Sequence, residues 1–422
     1  MSVAILRGDA RRLPLPDGCV DLIVTSPPYY GLRAYTDAGE VYGGQIGSEA
    51  TPAEYVTALV ECTREWVRVL KPSGSLFVNL GDKYAGSDGT KGGTSASTLD
   101  GGRSNGRPRA FANGTFDGGG RRVPGQPKSL LGLPWRYALA CMDQLGLILR
   151  AEIVWAKSNG LPESVTDRVR RAHEQVFHFT RQPRYYSAVD EIREPTSREG
   201  WTWADRKLIG HQKNPDAGHN YGGPGMAANP LGKLPGSVWT IPSAALVVPA
   251  HLGVDHFAAF PPALVRPIVL GWSPPGVCTA CGEGRRPVVD RVTSGHDNKL
   301  QSPGDGRRTT ASSAAPWNSS RSFWAFKMAH GGDRITGYAC ACARPDAPTR
   351  PAVVLDPFGG TGTTALVATV HGRHGITVDA SADYCRLAAW RCHDPGERAR
   401  ALDVPKPPPI PEGQDALFAL PP

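Results

Sequence analysis

The sequence predicts an α/β fold with a Rossmann-like sheet, parallel strands carrying the functional turns, and long inserted loops. Two short apolar runs, at 20–24 and 351–356, each end in a turn rich in Pro or Gly, which is typical of buried strands that stop at a sheet edge. An amphipathic helix pattern at 52–70 leads into another strand pattern at 75–82. The 422 residues include 50 Gly and 39 Pro, which favours a compact core with long loops.

The first strand pattern runs directly into Thr25-Ser26-Pro27-Pro28-Tyr29. Neither proline has a backbone N–H, so the stiff turn presents carbonyl acceptors. Ser26 adds a side-chain acceptor, and Tyr29 adds a flat ring on which a planar group can stack. An exocyclic amino group of a nucleobase fits this turn, because its two hydrogens need acceptors. A plain proline turn beside a core Tyr is the alternative for so short a motif.

The second strand pattern ends at Asp356 and continues into the glycine-rich turn 357–364. Strand, glycine turn and following helix form a nucleotide-type site, because glycines let the backbone approach a ligand closely. The next strand pattern ends at Asp379, 23 positions after Asp356, where a carboxylate can hold both ribose hydroxyls. Gly360-x-Gly362-x-x-Ala365 also fits a dinucleotide fingerprint, so an NAD-dependent oxidoreductase is an alternative.

The turn Thr25 to Tyr29 resembles the catalytic motif (Asp/Asn/Ser)-Pro-Pro-(Tyr/Phe/Trp) of the amino-group DNA methyltransferases, most closely the form of their cytosine-N4 branch. The run Asp356 to Thr364 resembles their S-adenosylmethionine motif. Because the catalytic turn precedes the donor loop, the order is similar to the β group, in which the motifs are permuted and the sheet is not. The resemblance implies a methyltransferase sheet with permuted motif order and inserted loops.

The resemblance also implies individual roles. Ser26 and the Pro27 carbonyl would accept the amine hydrogens, and Tyr29 would stack on a base flipped out of double-stranded DNA. The catalytic residues it implies are Ser26, Pro27, Pro28 and Tyr29, and the donor-binding residues are Asp9, Asp356, Phe358, Gly360, Gly362, Thr363 and Asp379. Asp9 could instead be an ordinary turn residue. Ser26, in place of Asp or Asn, is the one feature favouring cytosine-N4 over adenine-N6.

Two further segments carry the resemblance. Asp379, Tyr384 and Arg391 resemble the family's next motif, although Asp replaces the more usual Glu and shortens the reach. His256 to Val265 resembles the element before the donor site, where Phe260 would pack on the methionine part of the donor or serve as a core aromatic.

The core is predicted to consist of a catalytic half at 1–82, continuing elements at 129–186 and 251–277, and a donor-binding half at 343–395. Its insertions are a flexible Gly/Arg-rich loop at 83–128, a target-recognition region at 187–250 and a cysteine-bearing segment at 278–342. A Pro-rich tail, expected to be extended, occupies 396–422.

Charge points to a nucleic-acid partner. Residues 101–250 carry 20 Lys and Arg against 12 Asp and Glu, while 1–100 carry 9 against 12. A solvated basic face is the alternative, as is a non-catalytic DNA-binding protein. The resemblance allows a cognate restriction nuclease as partner. With no membrane-spanning run and no signal-peptide pattern, we expect a soluble cytoplasmic protein without membrane contact.

The nine cysteines do not suggest a disulfide framework, since their number is odd. No Pro-Cys dipeptide occurs, although cytosine-C5 methyltransferases need a cysteine nucleophile in that setting. Cys278-Thr279-Ala280-Cys281-Gly282 is a knuckle that can wrap zinc, and Cys340 with Cys342 can complete four thiolates. We therefore expect a structural zinc, with unligated thiols as the alternative.

Overall fold

The computed structural model describes residues 2–32, 36–37, 40–41, 43–86, 124–160, 162–163, 165–194, 231–254, 260–290, 334–344 and 346–408. Contacts between Cα atoms divide the chain into two units. The first comprises Met1–Ala188, Gly236–Arg285 and Cys342–Pro422, and the second comprises Val189–Pro235 and Arg286–Ala341.

The described strands are divided between the two units, and most of them belong to the first. In chain order they are β1 (Val3–Arg7), β2 (Val20–Thr25), β3 (Thr36–Asp37), β4 (Glu40–Val41), β5 (Leu70–Leu80), β6 (Ile148–Ala156), β7 (His173–Thr180), β8 (Val238–Thr240), β9 (Val277–Cys278), β10 (Arg286–Asp290), β11 (Arg334–Ala339), β12 (Thr349–Arg350), β13 (Val353–Asp356) and β14 (His374–Asp379). Eight of them form one sheet in the order β1-β14-β13-β2-β5-β7-β6-β8.

In this sheet the neighbouring strands β1, β14, β13, β2 and β5 are parallel to one another. β7 runs antiparallel to both of its neighbours, β5 and β6. β2 and β13 lie side by side at its centre, with Val354 opposite Leu22 and Leu355 opposite Ile23. The two turns predicted to carry the chemistry therefore leave adjacent strands at the same edge, where α/β sheets bind ligands. The predicted fold class is confirmed.

Helices cover the sheet in the first unit. They are α1 (Pro52–Val69), α2 (Leu133–Leu145), α3 (Pro262–Trp272), α4 (Thr363–Val370), α5 (Ala382–His393) and α6 (Pro395–Leu402). α1 begins with a capping box in which the Thr51 hydroxyl accepts from the Glu54 N–H and the Glu54 carboxylate accepts from the Thr51 N–H. The predicted apolar face of α1, including Tyr55, Leu59 and Trp66, is buried in the main core.

Four elements differ from the sequence-based expectations. β5 begins at Leu70 rather than Ser75, because the chain becomes extended as soon as α1 ends. β7 is an additional strand with little apolar periodicity, since His, Glu, Gln and Thr supply five of its eight residues. β8 adds an eighth strand from within the predicted recognition region. α6 occupies Pro395–Leu402, where the core was expected to end and an extended tail to begin.

The described part of the second unit is small. The antiparallel pair β10 and β11 is its main element, with Pro287 opposite Tyr338. A 3-10 helix spans Val189–Ile192, and Glu194 forms a β-bridge with Lys233. Tyr338 donates a hydrogen bond from its hydroxyl to the Glu191 carboxylate.

Several predictions fall outside the described residues. They concern most of the Gly/Arg-rich loop, most of the recognition region, the segment 255–259 and the tail from 409 onward. Among the helices that the structure does describe, none has both the length and the apolar character needed to span a membrane.

Candidate active site

One cavity of about 330 Å³ lies at the carboxyl edge of the sheet in the first unit. β1, β14, β13 and β2 each end beside it, and antiparallel β7 begins there because it runs the other way. All four residues of the predicted catalytic turn, Ser26, Pro27, Pro28 and Tyr29, line this cavity. So do Asp9, Phe358, Gly360, Thr363 and Asp379 of the predicted donor set, together with Phe260 and Tyr384.

The catalytic turn is held by hydrogen bonds on both sides. The Pro28 carbonyl accepts from the Tyr55 hydroxyl at 2.8 Å. The Asn79 amide donates to the Ser26 hydroxyl at 3.3 Å and to the Tyr29 hydroxyl at 2.9 Å. Asn79 lies near the end of β5, the strand beside β2, so the sheet itself sets the position of the turn.

Tyr29 is anchored at its hydroxyl and along its ring. The hydroxyl donates to Oε2 of Glu174 at 2.6 Å. Burial, reinforced by the Glu174 carboxylate, raises the pKa of the Tyr29 phenol, so it stays protonated and acts as donor. The ring lies against Gly81, where a Cβ atom would come within 2.6 Å of a ring carbon.

Glu174 is charged and buried, and Lys157 balances it. Lys157 donates from Nζ to Oε1 of Glu174 at 2.5 Å, and the two side chains are 2% and 9% exposed. Burial raises the pKa of the Glu174 carboxyl, but the Lys157 ammonium and the hydrogen bonds from Tyr29 and Asn79 outweigh it and lower the pKa overall. The Lys157 ammonium also lies 4.6 Å from the centroid of the Trp155 ring, which lines the cavity.

Asn79, Lys157 and Glu174 were not predicted as site residues. Asn79 and Lys157 stand at the ends of mainly apolar strand patterns, and that signal could have drawn attention to them. Glu174 lies near the start of β7, whose mixed pattern gives no such signal. Their convergence could not be deduced, because it depends on β7 lying antiparallel between β5 and β6.

On the donor side, Asp379 closes the glycine-rich turn. Its Oδ2 accepts from the Gly360 N–H at 2.8 Å and its Oδ1 from the Ser381 N–H at 2.9 Å. Burial raises the pKa of Asp379 even though these backbone hydrogen bonds oppose the change. Each carboxylate oxygen keeps acceptor capacity toward the cavity.

Asp356 and Gly362 lie beneath the turn and do not line the cavity. Asp356 is fully buried and accepts hydrogen bonds from the Phe358 N–H at 3.1 Å and the Thr364 hydroxyl at 3.0 Å. Burial raises its pKa to about 7. Gly362 has φ of +73°, and a Cβ there would come within 2.8 Å of the Ala388 Cβ. Both residues shape the turn from below.

Arg391 supports the same turn from α5. Its Nη1 donates to the Thr361 hydroxyl at 2.7 Å and to the Thr363 hydroxyl at 2.6 Å, and its Nε donates to Glu397 at 2.8 Å. Arg391 is 2% exposed, so Glu397 of α6 supplies its counter-charge. The helix beyond the predicted core thus stabilises the donor turn.

Asp9 lies at the rim of the cavity and is paired with Arg11. Its carboxylate is 49% exposed and lies 2.7 Å from Nη2 of Arg11. The hydrogen bonds from Arg11 lower the pKa of Asp9. Asp9 therefore stays ionised and can accept hydrogen bonds from a ligand.

A family model described as DNA methylase matches residues 20–279 and 349–389. The chain belongs to the N6/N4 DNA methylase family. The matched segments contain the catalytic turn and the donor turn. DNA is thus the substrate and S-adenosylmethionine the cofactor, and the NAD-dependent alternative is no longer needed.

Curated relatives agree with the family assignment. The chain is 34% identical to the type II methyltransferase M.SmaI of Serratia marcescens over 277 residues, covering 65% of this chain and 77% of that protein. It is 32% identical to the type II methyltransferase M.Cfr9I of Citrobacter freundii over 274 residues, covering 64% and 73%. Among solved structures, the cytosine-N4-specific PvuII DNA methyltransferase matches with 16% identity and a TM-score of 0.48, covering 96% of this chain and 91% of that one.

Proposed function

We propose that this DNA methylase transfers a methyl group from S-adenosylmethionine to the exocyclic N4 amine of cytosine in duplex DNA. The observation that carries the proposal is that the Ser-Pro-Pro-Tyr turn and the glycine-rich turn with Asp379 line one cavity. A base amine and a methyl donor held in these two turns would meet inside it.

The donor half of the cavity suits S-adenosylmethionine. Its volume of about 330 Å³ is within the range of small-molecule sites. At Gly360 the space is open where a Cβ would stand, so the ligand can approach the backbone there. We assign the ribose hydroxyls to Asp379, the adenine to the side of Asp9, and the methionine part to Phe260 and Phe358. Gly362, Thr363 and Asp356 keep the turn in shape.

The catalytic turn would hold the target amine. We assign its two hydrogens to the Ser26 hydroxyl oxygen and the Pro27 carbonyl, since the Pro28 carbonyl already accepts from Tyr55. Withdrawing both hydrogens localises the nitrogen lone pair for attack. When bound, S-adenosylmethionine supplies a methyl group already activated by its positively charged sulfur. Positioning then provides much of the acceleration.

The Tyr29 ring would stack on the target base with the face turned away from Gly81. Because the cavity lies at the sheet edge among buried side chains, a base can enter it only after leaving the duplex stack. Glu174 and Asn79 fix the Tyr29 hydroxyl, so the ring is in place before the base arrives.

Ser26 favours cytosine-N4 over adenine-N6 as the target, because the adenine-N6 methyltransferases with the resembled motif carry Asp or Asn at this position. Adenine-N6 methylation by the same turn is the second candidate. The type II names of the relatives favour a place in a restriction-modification system with a cognate nuclease. The basic stretch within 101–250 is the part we assign to DNA contact.

The test is nucleoside mass spectrometry on plasmid DNA from a methylation-free bacterial host that expresses the chain. N4-methylcytosine supports the proposal, and N6-methyladenine overturns the base assignment while keeping the site. The Ser26→Ala chain, expressed to the same level in the same host, is the matched control and should leave far less of the DNA modified. DNA without either base, from cells that contain the folded wild-type protein, would favour a DNA-binding protein without catalysis.

A further inference from the structure

We propose that Cys278, Cys281, Cys340 and Cys342 bind a structural zinc ion. Three of them belong to the first unit, and the sulfur atoms of Cys278, Cys281 and Cys342 lie within 4.8 Å of one another. None of the methyl-transfer residues is involved. The zinc site therefore does not depend on the proposed function.

The spacing of the sulfur atoms fits a metal ion. Sγ of Cys278 and Sγ of Cys342 are 3.9 Å apart. Tetrahedral zinc with Zn–S bonds of about 2.3 Å places two of its sulfurs about 3.8 Å apart. A disulfide would require about 2.05 Å, and none of the nine cysteines forms one.

The backbone around Cys278 has the shape of a metal knuckle. The Gly282 N–H donates to the Cys278 carbonyl at 2.9 Å, and the Cys278 N–H donates to the Glu283 carbonyl at 2.9 Å. Gly282 has φ of +75°, which a residue with a side chain rarely adopts. This tight turn brings Cys281 back toward Cys278.

Cys340 is the fourth ligand on grounds of sequence. One residue separates it from Cys342, so a Cys-x-Cys pair can offer two thiolates to one ion. Four thiolates leave no open position for water or substrate, which makes the site structural rather than catalytic.

The ion would stabilise the base of the insertion beside the donor strand. β9, which contains Cys278, pairs with β12, where Arg350 lies opposite Val277. The Thr279 N–H donates to the Pro348 carbonyl at 3.0 Å. β13 begins three residues after β12 ends, so a clamp at this point also fixes the start of the strand that leads to the donor turn.

The experiment measures zinc by elemental mass spectrometry in the full chain, expressed with added zinc and purified without chelator. We expect about one zinc per chain, and about tenfold less in the Cys278→Ser/Cys342→Ser variant. The Cys19→Ser/Cys385→Ser variant is the matched control, because neither cysteine is in the cluster, and it should keep its zinc.

Cobalt provides a second readout that does not depend on folding of the variants. Wild-type protein expressed in medium supplemented with cobalt should show the intense visible absorption of cobalt coordinated tetrahedrally by thiolates. Wild-type protein without zinc, equal zinc in both double variants, or a cobalt spectrum without thiolate bands would each overturn the proposal. Iron in place of zinc would overturn the assignment of the metal.

Discussion

The phenolic oxygen of Tyr29 lies 2.6 Å from Oε2 of Glu174, whose other oxygen accepts a hydrogen bond from the buried ammonium of Lys157. A line of hydrogen bonds thus runs from the cavity wall to a buried ion pair. The Tyr29 ring, which we assign to stacking on the target base, is therefore oriented by a buried ion pair. Such an arrangement preorganises the site before substrate binds.

Replacing Glu174 with Gln should uncouple Tyr29 from this ion pair. The amide keeps the size of the side chain but leaves the Lys157 charge unpaired, which should lower the free energy of unfolding by about 3–5 kcal/mol. Misplacement of the ring should lower single-turnover methyl transfer by about 100-fold with little change in donor affinity. The Glu174→Gln/Lys157→Met double variant should recover stability without recovering the rate. A double variant with wild-type rate would show that Glu174 serves stability alone.

Substitutions on the base side and on the donor side of the cavity should change different quantities, the turnover rate and the donor affinity. Ser26→Ala and Tyr29→Ala remove groups assigned to the base, so they should lower kcat by about 100-fold or more while donor Kd changes by less than about threefold. Asp379→Ala removes the group assigned to the ribose and should mainly raise donor Kd. Calorimetric titration with S-adenosylmethionine, together with single-turnover rates, checks this division. Similar losses of donor affinity in all three variants would contradict it.

The sequence was most informative where one local pattern decides the outcome. The strand before Ser26, the helix 52–70 and the glycine-rich turn before Asp379 follow from periodicity and turn residues, and the structure contains each of them. The support behind the turns was not predictable. Asn79 and Glu174 lie 95 positions apart in the chain, and they meet only because β7 is antiparallel to β5. No local pattern encodes that pairing.

Arg391 should be essential for the shape of the donor turn. Arg391→Met removes the donors to Thr361 and Thr363 and the buried partner of Glu397, which then keeps the more exposed Arg400 at 3.5 Å. The free energy of unfolding should fall by about 3 kcal/mol. Donor affinity should fall as well. Arg386→Met on the same helix is the control, because Arg386 is 58% exposed and its pairing with Asp383 contributes less than about 1 kcal/mol. Chemical denaturation of both variants gives the comparison, and equal losses would contradict the role of Arg391.

Gly81 should be required for the position of Tyr29. In Gly81→Ala, the added Cβ would lie 2.6 Å from a carbon of the Tyr29 ring. Because the ring is rigid, this clash should displace it. Methyl transfer should fall by about tenfold or more while donor Kd stays near the wild-type value. Gly236→Ala is the control, because no atom lies within 4 Å of its added Cβ. A Gly81→Ala enzyme with the wild-type single-turnover rate would refute tight packing at this contact.

Asp356 should make stability depend on pH in a predictable direction. Burial raises its pKa from the ordinary value of 3.8 to about 7, so the folded chain binds the proton more tightly than the unfolded chain does. Its contribution therefore favours folding at low pH and is lost as the pH rises from about 4 to about 7. Asp356→Asn removes this titration. The wild-type free energy of unfolding, relative to the variant's, should decrease by about 2.5 kcal/mol between about pH 5 and pH 8. Denaturant unfolding at both pH values measures the difference, and a difference that stays constant or grows with pH would show that Asp356 is ionised throughout.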